Sequence, residues 1–301
     1  MRITQNTKAL LALAFVSISW GTTYLASKEG VMVMPALQLA GLRQFLAGVL
    51  YLSFFITRKT PWPKGKQWIT ILLLSFLNFF LSNGMSTWGV KFISTGLGAI
   101  IAAIFPLWLV MLLALEGKKI PTKAVIGLVL GFAGICVIFF EHLKDFVNPD
   151  FRFGIILSFA ATISWAFATI ITKKHSENFN PYFSLGFQML ISGFALLLIV
   201  LTTGNSISIT QIPVQGWSAL SYLVLIGNVC TFAAFIYTLK HLPTTLASVY
   251  AYINPIVAVI LGTFLLNEKM TIFIAIGGVI TILGVYLVNY SLRKKKIEEL
   301  I

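Results

Sequence analysis

Ten long apolar runs constrain the fold of this chain more than any other feature of its sequence. An α-helix needs roughly 20 residues to cross the hydrocarbon core of a bilayer, which is about 30 Å thick. The runs cover residues 9–26, 36–56, 68–88, 93–115, 124–140, 153–172, 182–202, 217–239, 244–266 and 271–290. Because a helix satisfies its own backbone hydrogen bonds in lipid, the pattern predicts an all-α integral membrane protein with ten transmembrane helices.

The composition excludes a water-soluble globule. Of 301 residues, 58% are hydrophobic and only 10% are charged, which leaves too few polar side chains to cover a protein of this size. The net charge of +13 could indicate a nucleic-acid partner. However, the basic residues lie in short loops between apolar runs, so we expect no nucleic-acid partner and assign the charge to membrane orientation.

The distribution of basic residues predicts the orientation in the membrane. With the N-terminus inside, sixteen of the 22 Lys and Arg residues lie on the inner side and five on the outer side. By the positive-inside rule, both termini face the cytoplasm, and we expect a multi-pass protein of the bacterial cytoplasmic membrane. The first run could be a cleaved signal peptide, but its length and its counterpart later in the chain favour a permanent helix.

The second half of the sequence repeats the first. Residues 18–21 (ISWG) match residues 163–166 (ISWA) at an offset of 145, and Pro106 matches Pro255 at an offset of 149. We therefore expect two five-helix repeats, one in residues 1–145 and the other in residues 146–301. Five is an odd number, so the second repeat should be inverted, which is the arrangement that supports alternating access in transporters.

The chain resembles the drug/metabolite transporter superfamily, and in particular its EamA-type ten-helix members. The resemblance covers nearly the whole chain. It rests on the Ser-Trp-Gly of the first span, on Arg43 followed by Gln-Phe-Leu-Ala, on the mid-helix prolines of the fourth and ninth spans, on Asn267 and Glu268, and on the glycine-rich fifth and tenth spans. One departure is visible, because Lys119 stands where the repeat would place the counterpart of Glu268.

The resemblance implies a secondary transporter or exporter of small metabolites such as amino acids. Its central cavity would be lined mainly by the first, third, fourth, sixth, eighth and ninth spans. Within the same superfamily, an exchanger of nucleotide sugars or other anionic metabolites is the alternative. A non-transporting membrane scaffold or an intramembrane enzyme is the alternative from another class.

Arg43 is the basic residue that lies clearly inside a span. Burying such a charge costs several kcal/mol unless it finds partners or water, so Arg43 is a candidate for substrate binding. The competing interpretation is that its side chain reaches toward the outer interface. Gln188 occupies the matching place in the seventh span, which suggests a structural role shared by the two halves.

Aromatic and amide side chains at membrane depth supply the other candidates. Trp20 and Trp165 occupy equivalent positions away from the membrane interfaces, where an indole can line a cavity and donate one hydrogen bond, although simple helix packing is the competing interpretation. Pro106 and Pro255 are expected to kink their helices and to act in gating. The full set of substrate-binding candidates is Trp20, Tyr24, Arg43, Asn83, Trp108, Trp165, Gln188, Tyr237, Tyr252 and Asn254.

The sequence carries no motif for catalysis, a metal or a cofactor. The nine acidic residues fall in loops, at span ends or in the tail, and no nucleotide-binding or hydrolase motif is present. Cys136 and Cys230 lie in separate apolar runs and are expected to be buried packing residues. We therefore expect no enzyme and no cofactor; the expected partners are a small-molecule substrate and membrane lipid, and a monomer is the simplest state.

Overall fold

The computed structural model describes residues 5–115, 117, 120–175, 179–242 and 250–298. Within these ranges the chain forms helices and turns and contains no strand. The helices that cross the bundle are α1 (Gln5–Val33), α2 (Ala36–Thr57), α3 (Gln67–Gly89), α4 (Thr95–Ala103 and Phe105–Leu115), α5 (Thr122–Glu141), α6 (Pro149–His175), α7 (Pro181–Thr202), α8 (Val214–His241), α9 (Tyr250–Leu265) and α10 (Ile272–Glu298).

The ten-helix prediction is confirmed in the described ranges. Nine of these helices are long and apolar enough to cross a membrane. The described part of α9 is also apolar but has 16 residues, because residues 244–249, with which the predicted ninth span begins, lie outside the described ranges. The protein is therefore an all-α, multi-pass membrane protein.

Local chemistry explains where several helices begin. The Asn180 side chain accepts hydrogen bonds from the backbone of Tyr182 at 3.0 Å and Phe183 at 3.2 Å, and Pro181 stands at the first position of α7. The Ser94 hydroxyl similarly accepts from the backbone N–H of Leu97 at 3.2 Å and caps α4. These contacts satisfy backbone donors that a helix leaves unpaired in its first turn.

In the described part of the chain, three helices depart from regular α geometry at membrane depth. α3 and α8 carry π-helical segments at Ser75–Asn83 and Leu223–Cys230, which are nearly equivalent places in the two halves. α4 is interrupted at Ile104, two residues before Pro106, whereas α9 continues through Pro255. π-Helical segments are frequent at functional sites, and here both belong to helices at the centre of the bundle.

The glycine-rich spans α5 and α10 pack against each other along most of their length. A Cβ atom added to Gly127 would lie 2.6 Å from the carbonyl oxygen of Gly284, and one added to Gly134 would lie 2.6 Å from the carbonyl oxygen of Gly277. The close approach of the two backbones therefore depends on the missing side chains. α2 and α7 form a second extensive pair.

The remaining helices exchange partners between the two halves. α1, from the first half, packs against α8 and α9 of the second half, and α6, from the second half, packs against α3 and α4 of the first. Equivalent helices thus make equivalent contacts across the middle of the molecule. The inverted relation of the two repeats and the boundary at residue 145 remain predictions.

The two cysteines do not lie where the sequence analysis expected them. Cys136 in α5 and Cys230 in α8 are both exposed on the outer surface of the bundle. Each helix turns another side of its surface to its neighbours: in α5 that side carries Gly134 and Ile138, and in α8 it carries Asn228 and Thr231. An apolar run alone could not show which side of a helix faces lipid.

Candidate functional site

A central cavity lies between the two halves of the bundle. α1, α3, α4, α6, α8 and α9 line it, as the family resemblance implied, and α2 adds Arg43. Its volume is about 150 Å³, the scale of a cavity that holds a benzene-sized molecule. We call the end of the bundle where α1 begins and α10 ends the terminal end, and the opposite end, where α1 ends and α2 begins, the loop end.

Aromatic side chains close the cavity on the side of the terminal end. The ring centroid of Trp20 lies 6.0 Å from that of Trp165, 5.3 Å from Phe232, 4.9 Å from Phe235 and 5.0 Å from Tyr250. Most of these pairs meet edge to face, the arrangement that aromatic quadrupoles favour. We call these five residues the aromatic plug. The Trp165 Nε1 donates a hydrogen bond to the Tyr250 hydroxyl at 3.4 Å, which joins α6 to α9 within it.

The cavity extends from the aromatic plug toward the loop end. On α1, the cavity is lined by Trp20 and by the following residues Thr23, Tyr24 and Ser27. On the antiparallel α6, it is lined by Trp165 and by the preceding residues Ser158, Ala161 and Thr162. On the other side of Trp20, by contrast, Leu13, Val16 and Ser17 are buried in packing. The structure therefore presents a cavity on one side of the plug and close packing on the other.

Arg43 projects into the interior and lines the cavity. Its side chain is 5% exposed, and its guanidinium donates a hydrogen bond to the Asn228 Oδ1 at 2.8 Å. The competing interpretation, in which Arg43 reaches the outer interface, does not describe this conformation. The guanidinium Nε is buried without a hydrogen-bond partner among the described residues. Among the described residues that line the cavity, Arg43 carries the one formal charge.

A parallel arrangement exists in the second half, without the charge. Gln188, the counterpart of Arg43, accepts a hydrogen bond from the Asn78 amide at 3.0 Å and donates one to Ser184 at 2.9 Å. Asn78 belongs to the π-helical segment of α3, as Asn228 belongs to that of α8. In each half, a side chain from α2 or α7 is therefore held by an asparagine from a π-helical segment of the other half.

Six of the ten predicted substrate-binding residues line the cavity. They are Trp20, Tyr24, Arg43, Asn83, Trp165 and Asn254. Asn83 also accepts a hydrogen bond from the Gln44 amide at 3.2 Å, and Gln44 in turn accepts one from Ser192. This network joins α2, α3 and α7 at the cavity wall. That the six residues bind substrate remains a prediction.

The other four predicted residues do not lie among the lining residues. Trp108 packs on Phe132 and Phe159, and its Nε1 is buried without a partner in the described part of the chain. Tyr237 lies against His241 near the terminal end, with ring centroids 4.4 Å apart. Tyr252 donates from its hydroxyl to the Val285 carbonyl of α10 at 3.2 Å and also contacts Asn289. Gln188 is 3% exposed and bonded as described above.

Small side chains form much of the cavity wall, and sequence reasoning did not single them out. They include Ser82, Ser86, Thr87, Ala99, Ala102 and Ala103. Such residues recur every three or four positions on α3, α4 and α6, so one face of each helix is small. The same pattern also occurs where helices simply pack closely, so by itself it could not distinguish a cavity from a seam.

The two predicted gating prolines lie near the plug. Pro106 follows Phe105, whose ring stacks on Tyr250 with the centroids 5.9 Å apart and the planes inclined by 8°. Pro255 is buried in α9 directly after Asn254, which lines the cavity. A gating role for either proline remains a prediction.

At the loop end, two charged side chains form hydrogen bonds with the connection between α3 and α4. Lys28 donates from its Nζ to the carbonyl oxygens of Val90 at 2.8 Å and Ile93 at 2.9 Å. The Glu268 carboxylate accepts from the backbone N–H of Thr95 at 2.8 Å and from its hydroxyl at 2.7 Å. Glu268 thus caps the N-terminus of α4 and ties it to the connection after α9.

Proteins of similar sequence carry transporter names. The chain is 31% identical over 274 residues to the uncharacterized inner membrane transporter YedA of Escherichia coli K12, which covers 90% of this chain and 87% of that protein. It is 26% identical to an uncharacterized transporter of Archaeoglobus fulgidus, over 94% of this chain and 97% of that one. It is also 26% identical to a WAT1-related chloroplastic protein of Arabidopsis thaliana, over 90% of this chain and 67% of the plant protein.

A solved crystal structure has the same fold, with a TM-score of 0.66 and 17% sequence identity over 93% of this chain and 96% of the other. The sequence profile of the EamA-like transporter family matches twice, first over residues 7–140 and again over residues 152–290. Together, the two matches span both halves of the bundle and every helix that lines the cavity. The chain is a multi-pass membrane transporter and belongs to the EamA-like transporter family.

Proposed function

We propose that the protein carries a small neutral or zwitterionic metabolite, such as an amino acid, through the central cavity by alternating access. The observation that carries the proposal is the aromatic plug, which closes one end of a cavity formed between two halves with equivalent contacts. If the halves exchanged their packing, the plug would separate and open the terminal end, while the loop end would close. A substrate would then leave on the opposite side.

The chemistry of the cavity wall supports this class of substrate. Arg43 can bind one carboxylate, and the faces of Trp20, Trp165 and Tyr24 can attract an ammonium group by cation–π interaction. No acidic side chain is found among the lining residues in the described ranges. A volume of about 150 Å³ suits a substrate with few heavy atoms beyond its polar groups.

The cellular setting is part of the same proposal. The protein acts as a monomer in the bacterial cytoplasmic membrane, with both termini in the cytoplasm, and exports its substrate without a cofactor and without catalysing a reaction. An exchanger of nucleotide sugars would need several cations around the bound phosphates. One guanidinium in the described lining does not offer that charge.

Uptake and efflux by proteoliposomes, screened over the twenty standard amino acids, test the proposal. Ala102→Trp should abolish transport of the best substrate, because it fills the cavity where Ala102 lines it. Leu198→Trp is the matched control, since Leu198 is half exposed on the lipid-facing side of α7 and should retain activity. If polyamines or nucleotide sugars were the preferred substrates, or if both variants transported equally well, the proposal would be wrong.

A further inference from the structure

The two halves of the bundle place different side chains at equivalent positions beside the cavity. Arg43 and Gln188 each lie about two turns into their helices, roughly 11 Å along the axis. α2 begins at the loop end and α7 begins at the terminal end, because four spans, an even number, lie between them. The Arg43 guanidinium therefore lies nearer the loop end of the bundle, and the Gln188 amide lies nearer the terminal end.

Arg43 borders the cavity, whereas its counterpart Gln188 does not. Arg43 and Asn78 line the cavity, which lies on the loop-end side of the plug. Their counterparts, Gln188 and Asn228, are 3% and 0% exposed and lie outside the lining. If the two halves exchanged conformations, Gln188 and Asn228 would line a cavity on the terminal-end side, and Arg43 and Asn78 would be packed away.

Arg43 is also incompletely satisfied in the observed state. One guanidinium nitrogen bonds to Asn228, while the buried Nε has no partner among the described residues. A buried, charged donor without an acceptor is costly, and a carboxylate in the adjacent cavity would remove that cost. Gln188 has no such deficit, because its amide oxygen and nitrogen are both hydrogen bonded.

We propose that Arg43 is the carboxylate-binding group of the transporter, and that its neutral counterpart Gln188 makes the affinity for carboxylate substrates differ between the two faces of the membrane. The site is strong when the cavity opens to the loop end and weak when it opens to the terminal end. This inference rests on the proposed function, because it assumes that the substrate passes through this cavity.

The expected difference in KM between the two faces follows from replacing the charged Arg43 by the neutral Gln188 as hydrogen-bond donor. A hydrogen bond to a charged group contributes more than a neutral one, by an amount that corresponds to roughly a tenfold change in affinity. The KM of an amino acid should therefore be about tenfold lower from the loop-end face. An uncoupled carrier cannot displace an equilibrium, so the maximal rate from that face should be lower in the same proportion.

The test compares right-side-out and inside-out membrane vesicles. The twenty standard amino acids are screened first, and the best of them is then compared with the matched amine that lacks the carboxylate. The wild type should show a KM ratio of about ten between the faces for the amino acid, and this preference should be lost or reversed for the amine, which the guanidinium repels. Arg43→Gln should bring the amino-acid ratio to about one.

The double variant Arg43→Gln with Gln188→Arg should reverse the ratio, because it moves the guanidinium to the other half. Arg58→Gln is the matched control, since Arg58 caps the far end of the same helix, outside the cavity, and should leave the ratio unchanged. Melting temperatures identify variants that do not fold, and Arg43→Lys, which keeps the charge, should retain a ratio above one.

Three outcomes decide the matter. A wild-type transporter with equal KM values from both faces would overturn the inference and leave the proposed function intact. A KM ratio that survives in folded Arg43→Gln would do the same. A wild type that transports none of the amino acids would overturn the proposed function and the inference together.

Discussion

Removing Trp20 should release the aromatic plug and expose the terminal-end side of α1. Trp20 contacts four rings, of which Phe232, Phe235 and Tyr250 lie on α8 and α9, where the terminal end is closed. The fourth, Trp165, is its equivalent in the other half and can stay in contact in either state. The three contacts to α8 and α9 therefore measure how much Trp20 favours the observed state.

Each aromatic pair contributes about 0.5–1.5 kcal/mol beyond area burial, so three pairs contribute roughly 1.5–4.5 kcal/mol. Since 1.4 kcal/mol corresponds to a factor of ten, Trp20→Ala should raise the population open to the terminal end by about tenfold or more. The tenfold value is a lower bound for the change in this population, because burial of the indole further stabilises the state that is closed at the terminal end.

Ser17 reports that population, because it lies one turn from Trp20 toward the terminal end and is fully buried. The assay uses Ser17→Cys in a background where Cys136 and Cys230, both exposed, are replaced by alanine. A membrane-impermeant maleimide added from the terminal side should modify the cysteine at least about tenfold faster when Trp20→Ala is present.

Trp217→Ala is the control for loss of an indole elsewhere. Trp217 is 38% exposed near the loop end and makes no contact in the plug. Equal modification rates in folded wild-type, Trp20→Ala and Trp217→Ala backgrounds would refute the plug as the element that closes the terminal end. The tryptophans would then be ordinary packing residues.

Two further predictions test the fold. Labels at Lys64 and Lys295 should react only from the cytoplasm and a label at Lys144 only from outside, and an external Lys64 would contradict the predicted orientation. Gly134→Ala should lower the melting temperature by several degrees, since overpacking costs about 1–3 kcal/mol and the added Cβ would lie 2.6 Å from the Gly277 carbonyl oxygen. Ala133→Val adds methyl groups on the exposed side and should change stability much less.

The number and type of the helices could be predicted from the sequence because lipid leaves the backbone few alternatives. The helix ends were less predictable. α1 was expected over residues 9–26 but extends to Val33, beyond Lys28 and Glu29. A search for apolar runs stops at charges, whereas the helix continues because Lys28 reaches the carbonyl oxygens of Val90 and Ile93.

The cavity could be predicted only through its large residues. An indole or a guanidinium inside an apolar run is conspicuous, so Trp20, Arg43 and Trp165 were found. Which side of a helix faces the cavity was not visible, and it depends on helix rotation and on local breaks. Trp108 follows the interruption of α4 at Ile104 and packs on α5 and α6. It therefore lies away from the cavity, which on α4 is lined mainly by residues that precede the interruption.

The two halves share some residues at equivalent positions and differ at others. In a two-fold arrangement, a pair of residues that both halves share favours neither face of the membrane unless the side chains that it contacts differ between the halves. Trp20 and Trp165 are such a pair, and both belong to the plug. Any sidedness must come from positions where the halves differ.

Arg43 and Gln188 form such a position. Their matching place in the sequence suggested a shared structural role, and the structure gives each of them an asparagine partner from a π-helical segment. The shared part of the role is therefore this hydrogen bond across the halves, and the part that differs is one unit of charge beside the cavity. A charge that enters the cavity wall in one conformation and leaves it in the other changes the affinity for a carboxylate without changing the fold. The repeat thus accounts for the architecture, and its imperfections are where substrate preference and sidedness are to be sought.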